Sequence, residues 1–149
     1  TIMTASRVAA LTGPYLSGKT TLLESLLFAA GAIPRKGSVK DGNSVGDASA
    51  EARSHGNSTE LTAASCSYLG DRWTLIDCPG SIELAQDSLN SLMIADIAVV
   101  VCEADPDKAI TVAPLLKFLE DNSIPHLIFV NRMDTTTYRI RDILAALQQ

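Results

Sequence analysis

No apolar run in this sequence approaches the roughly 20 residues that a bilayer-crossing helix requires. The first residues, from Thr1 to Arg7, lack the charged-then-apolar order of a secretory signal, so the expected location is cytoplasmic and no membrane partner is expected. Cysteine is scarce as well. Cys66, Cys78 and Cys102 are too few and too scattered for a disulfide framework, and none stands at metal-ligand spacing from another cysteine or a histidine. Positive charge is in deficit, with 12 Lys and Arg against 17 Asp and Glu and a net charge of −5. That balance argues against a broad electropositive face for nucleic acid, so no direct nucleic-acid patch is expected. Internal repeats and low-complexity tracts are missing too. What remains is a chain of 149 residues with 46% apolar content, suited to one folded domain with a real core.

The elements alternate. Residues 7–12 form a short apolar run that ends at Gly13, and residues 19–30 follow with helix formers and a stop at Gly31. Residues 32–60 shift to Gly, Ser, Asn, Asp and Lys without apolar periodicity, which predicts a long mobile loop of a kind that is usually functional. Residues 61–69 and 73–77, separated by a turn at Gly70 and Asp71, read as a hairpin. Then come a helix over 82–95, with Leu84, Leu89, Leu92 and Met93 on its apolar side, and a buried strand over 97–102. A helix over 109–122, a buried strand over 127–130 and a last helix over 138–149 complete the chain. This order predicts an α/β domain with a mostly parallel sheet and helices on both faces. Ligands in such sheets sit beyond the carboxyl ends of the strands, where all the motifs below fall.

The octet Gly13, Pro14, Tyr15, Leu16, Ser17, Gly18, Lys19, Thr20 matches G-x-x-x-x-G-K-[ST] between a strand and a helix. Glycines let the backbone curl with its N–H groups inward around phosphates, and the helix start adds its positive dipole end. Lys19 is the expected point charge for the β- and γ-phosphates, Thr20 the expected hydroxyl ligand of Mg²⁺, and Thr21 follows as a further nucleotide-binding candidate. An ordinary glycine turn with a surface lysine is the bland alternative. Asp77, at the end of the 73–77 strand, opens Asp-Cys-Pro-Gly80, where a carboxylate can reach Mg²⁺ through water and Gly80 can meet the γ-phosphate. By itself that tetrad also reads as a strand-ending turn.

Asn131, Arg132, Met133 and Asp134 end the 127–130 strand. An Asp134 carboxylate accepts from both the N1–H and the exocyclic amine of guanine, a pair that adenine lacks. Asn131 would brace the loop, and the Arg132 stem can lie along the base. An Asn or Asp turn after a strand, and an adenine-nucleotide kinase or ATPase on the same fold, are the competing readings.

With these three motifs in this order, the chain resembles the translational GTPases, elongation factor G among them. The resemblance implies a Ras-like P-loop NTPase fold that binds GTP or GDP with Mg²⁺, and a ribosome as partner of the full-length protein. It makes residues 32–60 switch I and the stretch from Asp77 switch II. It also implies that residues 1–149 are an N-terminal GTP-binding fragment lacking the last strand and helix, since the Ser-Ala element of the guanine pocket is not visible. Four positions depart from the family pattern: Ser81 replaces a histidine that positions water, Leu16 an aspartate, Arg132 a lysine, and Ser58 the threonine that closes over Mg²⁺, with Thr59 one step away. Serine has neither the reach nor the charge of histidine, so binding with very slow or partner-dependent hydrolysis is expected, or a binding-only regulatory module. His55 reads as a solvated loop residue and His126 as a structural or surface one.

Overall fold

A computed structural model describes residues 5–14, 16–33, 62–78 and 86–149. Among these residues five strands form one sheet in the order β2-β3-β1-β4-β5. The central strand β1 (Ser6–Thr12) pairs in parallel with both β3 (Asp71–Asp77) and β4 (Ile97–Glu103). Its run Val8-Ala-Ala-Leu11 is apolar without alternation because both faces of a central strand are covered. On the far side β4 pairs in parallel with β5 (His126–Asn131), aligning Glu103 with Asn131.

Among the described residues β2 (Thr62–Tyr68) is the one antiparallel strand, joined to β3 by a two-residue turn. The turn sits one position earlier than expected. Asp71 already pairs with Tyr68, so Leu69 (φ 50°) and Gly70 (φ 86°) form its centre. Two consecutive positive φ angles match the right-handed twist of the flanking strands. Leu69 is an uncommon occupant of such a turn, and its side chain is 86% exposed.

Helix α1 (Lys19–Ala29) packs Leu23 and Leu27 against Ala9, Leu11 and Leu75 on one sheet face. Each leucine so buried contributes about 1.5–3 kcal/mol. The helix stops as expected at Gly31, whose φ of 73° lets its N–H reach the Phe28 carbonyl while the Ala32 N–H reaches Leu27. Helices α2 (Gln86–Ile94) and α4 (Ala113–Asp121) cover the other face, with Leu92, Leu115 and Leu119 on Ala10, Ile76, Val100 and Cys102. Helices thus lie on both faces of a mostly parallel sheet, the α/β architecture expected.

Three expectations about elements need correction. Met93 does not join the apolar side of α2; it is exposed, while Ser88 and Ser91 turn inward beside Leu92. Residues 81–85, including Leu84, lie outside the described residues. The single helix expected over 109–122 is two, α3 (Pro106–Ile110) and α4, because Pro114 cannot donate to Ile110 and its ring collides with that turn. The helix also begins earlier than the expected Ala109: Asp105 caps α3 by accepting from the Asp107 N–H at 3.0 Å, and Pro106 fits the first helical position. Finally, β5 is only half-buried. Leu127 (45%) and Phe129 (38%) are exposed on one face, since β5 borders the sheet and no described helix covers it there. The closing helix α5 (Ile140–Leu147) seats Ile143 and Ala146 on Ala104 and Ala109.

Candidate nucleotide-binding site

The loop from Gly13 to Gly18 leaves the carboxyl end of β1 and enters α1. Backbone conformation explains its glycines. Gly13 has φ 144°, and a Cβ there would meet the Val101 carbonyl oxygen at 2.1 Å. Gly18 has φ 97°, and a Cβ there would meet Asn131 Nδ2 at 2.2 Å. Leu16 also takes a left-handed φ of 59°, with its side chain exposed. A non-glycine residue so placed stores about 1–2 kcal/mol of strain, of the kind found at ligand-binding loops. Among the described residues no side chain caps the start of α1 and its first turn holds no acidic residue of its own, which leaves backbone N–H groups there for an anion.

Lys19 is only 5% exposed. Its ammonium donates to the carbonyls of Gly13 and Pro14, each at 3.2 Å. Burial lowers its pKa, while Asp77 and then Cys78 act in the opposite direction. Two neutral carbonyls are poor replacement for water around a cation, and a phosphate anion in the loop would restore the balance. The buried Ser17 hydroxyl has no hydrogen-bond partner among the described residues, a further polar group available in the loop region. Thr20 Oγ1 donates to Asp77 Oδ2 at 3.0 Å, and Asp77 is fully buried at the end of β3. Two side-chain oxygens in contact at the mouth of the loop are a set that would suit a hard cation such as Mg²⁺. Next to them the buried Cys78 thiol is pushed up to about 12, first by burial and then by the Asp77 charge, with Lys19 partly offsetting. It is a thiol of the core and not a nucleophile.

The end of β5 reaches the same place. Asn131 Nδ2 donates to the Ser17 carbonyl at 3.0 Å, and Asn131 Oδ1 accepts from the Arg132 N–H at 2.9 Å. Arg132 turns left-handed, with φ 62°, and its carbonyl accepts from the Thr135 N–H at 3.3 Å. Asp134 stands exposed within that turn. The structure therefore joins Gly13, Pro14, Ser17, Gly18, Lys19, Thr20, Asp77 and Asn131 in one cluster, with Leu16 and Thr21 on its exposed rim and Arg132 and Asp134 on the adjoining loop. Tyr15, Ser58, Gly80, Ser81 and His55, and the switch-like loop beyond Ile33, lie outside the described residues. His126 is structural, its Nδ1–H donating to the Ile124 carbonyl at 2.9 Å.

Sequence reasoning missed Glu103. It ends β4 beside Asn131, and its carboxylate takes Arg132 Nη1 at 2.9 Å and the Lys108 ammonium on its other oxygen. An acidic residue at the carboxyl end of a strand neighbouring the P-loop strand was the signal that could have marked it.

Fold and site together define a P-loop domain built to hold a nucleotide's phosphates. A family model described as "Elongation factor Tu GTP binding domain" matches residues 5–149, and the chain belongs to that family. The Elongation factor G-like protein of Synechocystis sp. is 49% identical over 142 residues, which is 95% of this chain and 21% of that protein. Elongation factor G 2 of Streptomyces coelicolor is 33% identical over 118 residues, 79% of this chain and 17% of that protein. A crystal structure from Thermus thermophilus superposes with a TM-score of 0.82 at 29% identity, covering 95% of this chain and 21% of the other. The chain thus spans about a fifth of the length of the relatives it matches. Among the described residues no helix is long and apolar enough to cross a membrane.

Proposed function

We propose that this chain is the GTP-binding part of a longer elongation factor G-like translational GTPase. In this reading it is a Mg²⁺-dependent GTP/GDP switch in the cytoplasm that works with the ribosome and hydrolyses GTP slowly unless a partner assists. The observation that carries the phosphate role is Lys19, a buried ammonium held by the Gly13 and Pro14 carbonyls at the open end of α1. Its depressed basicity is what an incoming phosphate would reverse. The similarity to elongation factor G-like proteins supports the rest. The exposed apolar face at Leu127 and Phe129 is consistent with further chain packing on this sheet.

Within that reading each residue has a physical task. The loop amides and Lys19 hold the phosphates, and Asn131 fixes the loop by its bond to Ser17. Asp134 accepts the two donors that distinguish guanine from adenine, with Arg132 alongside the base. Thr20 and Asp77, with Ser58 from the switch-like loop, would hold Mg²⁺, which when bound neutralises charge on the phosphates. Gly80, read from the sequence, would offer its N–H to the γ-phosphate. Ser81 is shorter than histidine and uncharged, so it orients water poorly and leaves little stabilisation for hydrolysis.

Two measurements on the full-length protein test this. Asp134→Asn should shift preference from guanine toward xanthine nucleotides, because the donor and acceptor pattern inverts. Single-turnover GTP hydrolysis without ribosomes should stay at or below the roughly 10⁻⁴ s⁻¹ scale of an unassisted small GTPase. An unshifted preference would remove Asp134 from base recognition, and rapid unassisted turnover would end the slow-hydrolysis reading.

A further inference from the structure

Arg132 stands where a lysine is expected in the base motif, and it is anchored in a way that a sequence pattern does not reveal. Its backbone is left-handed, and its N–H is held by Asn131 Oδ1. Its guanidinium meets Glu103, whose side chain is 12% exposed, while Arg132 and Lys108 remain about half exposed. The carboxylate is fully shared: Oε1 takes Arg132 and Oε2 takes Lys108. Glu103 itself cannot drift. It is the last residue of β4, paired with Asn131, and the next residue is bonded twice to the base loop, through Ala104 N–H to the Asn131 carbonyl and Thr136 Oγ1 to the Ala104 carbonyl. A rigid strand end therefore aims a flexible cation that would otherwise sample many rotamers.

We propose that Glu103 is a positioning residue for base recognition. By fixing the Arg132 guanidinium it holds the apolar arginine stem extended as a wall for the purine face of a guanine nucleotide. The inference rests on the guanine reading above and deepens it. Guanidinium suits the task better than ammonium would. Its planar fork can be pinned at one end while the stem stays extended, and less rotamer freedom is lost when the nucleotide arrives. Lys108 keeps the second carboxylate oxygen occupied, so that Glu103 does not swing away from Arg132. The Glu103, Arg132 and Lys108 side chains make none of the contacts that hold Lys19, Thr20 and Asp77, so the effect of changing Glu103 should be confined to the nucleoside half of the ligand.

The test is a double-mutant cycle in the full-length protein, with Glu103→Gln, Arg132→Met and the pair titrated with GDP and, separately, with inorganic pyrophosphate. Glu103→Gln should weaken GDP binding about three- to tenfold, the scale of a partly buried ion pair. It should add nothing in the Arg132→Met background and leave pyrophosphate binding unchanged. If Glu103→Gln does not fold, Glu103→Asp, which keeps the charge but shortens the reach, should give the same pattern. Unchanged GDP affinity, an equal loss on top of Arg132→Met, or an equal loss for pyrophosphate would overturn the positioning role alone. A parent protein that binds pyrophosphate but shows no preference for GDP over ADP would instead overturn the guanine reading, and this inference with it.

Discussion

The Asn131 side-chain amide donates across 3.0 Å to the Ser17 carbonyl, linking the end of β5 to the phosphate loop more than a hundred residues earlier. Gly18 is what allows the approach, since a methyl group there would stand 2.2 Å from that same nitrogen. Gly18→Ala should therefore break two things at once, the loop's left-handed turn and the Asn131 bridge. We expect a loss of about 1–3 kcal/mol in urea unfolding together with loss of nucleotide binding. Unaltered stability would mean that the two loops are not coupled as described.

Lys19→Ala should separate stability from binding. Removing a buried, desolvated cation relieves a cost while losing two bonds to neutral carbonyls, so folding stability should change by only about 1 kcal/mol. Triphosphate binding should nevertheless fall by far more than tenfold, because the charge facing the phosphates is gone. Retained affinity by calorimetry would contradict the role assigned to Lys19.

The hairpin between β2 and β3 offers a stabilising change. Leu69 is exposed with φ 50°, ahead of Gly70 at φ 86°. Leu69→Asn would create the Asn-Gly pair that this turn favours and remove an exposed apolar side chain, for a gain of about 0.5–1 kcal/mol. Thermal unfolding reads it directly, and a lowered midpoint would contradict the turn geometry.

The alkaline limb of stability should report on Cys78. Its thiol is pushed from 9.0 to about 12 by burial and by Asp77, so between those values the unfolded chain releases a proton that the folded chain keeps. Its contribution is fully present below about pH 9 and is lost as pH rises toward 12, by at most about 1.4 kcal/mol per pH unit. Lys19 runs the other way. Its folded pKa is lowered, so its own contribution grows as pH climbs toward 10.5. Comparing urea midpoints at pH 8 and pH 10.5, the parent should lose more stability than Cys78→Ala. Equal losses would show that the thiol titrates as freely folded as unfolded.

Much of this was legible in the sequence because local rules and the fold agree. The strand, glycine loop and helix around Lys19, the Gly31 stop and the parallel β4 and β5 all follow from periodicity and punctuation. The break at Pro114 is also written in the sequence, but apolar spacing that continues across it from Ala109 to Leu119 masks it. What could not be read were properties set by partners distant in sequence. The exposure of Phe129 depends on what covers its face, and the contact of Glu103 with Arg132 spans 29 residues that only the β4–β5 register brings together. Asp77 was recognisable as a strand-end acid, but its contact with Thr20 required the parallel pairing of β1 with β3.

Every role proposed above rests on this domain binding guanine nucleotide through the P-loop and the Asn131–Asp134 turn. Calorimetric titration of the full-length protein with GTP, GDP and ATP in the presence of Mg²⁺ tests it most directly. Saturable binding of GTP and GDP is expected, with ATP at least a hundredfold weaker, on the order of 3 kcal/mol for a carboxylate left unpaired at the edge of the base. Equal affinity for ATP, or no binding of any of the three, would contradict it.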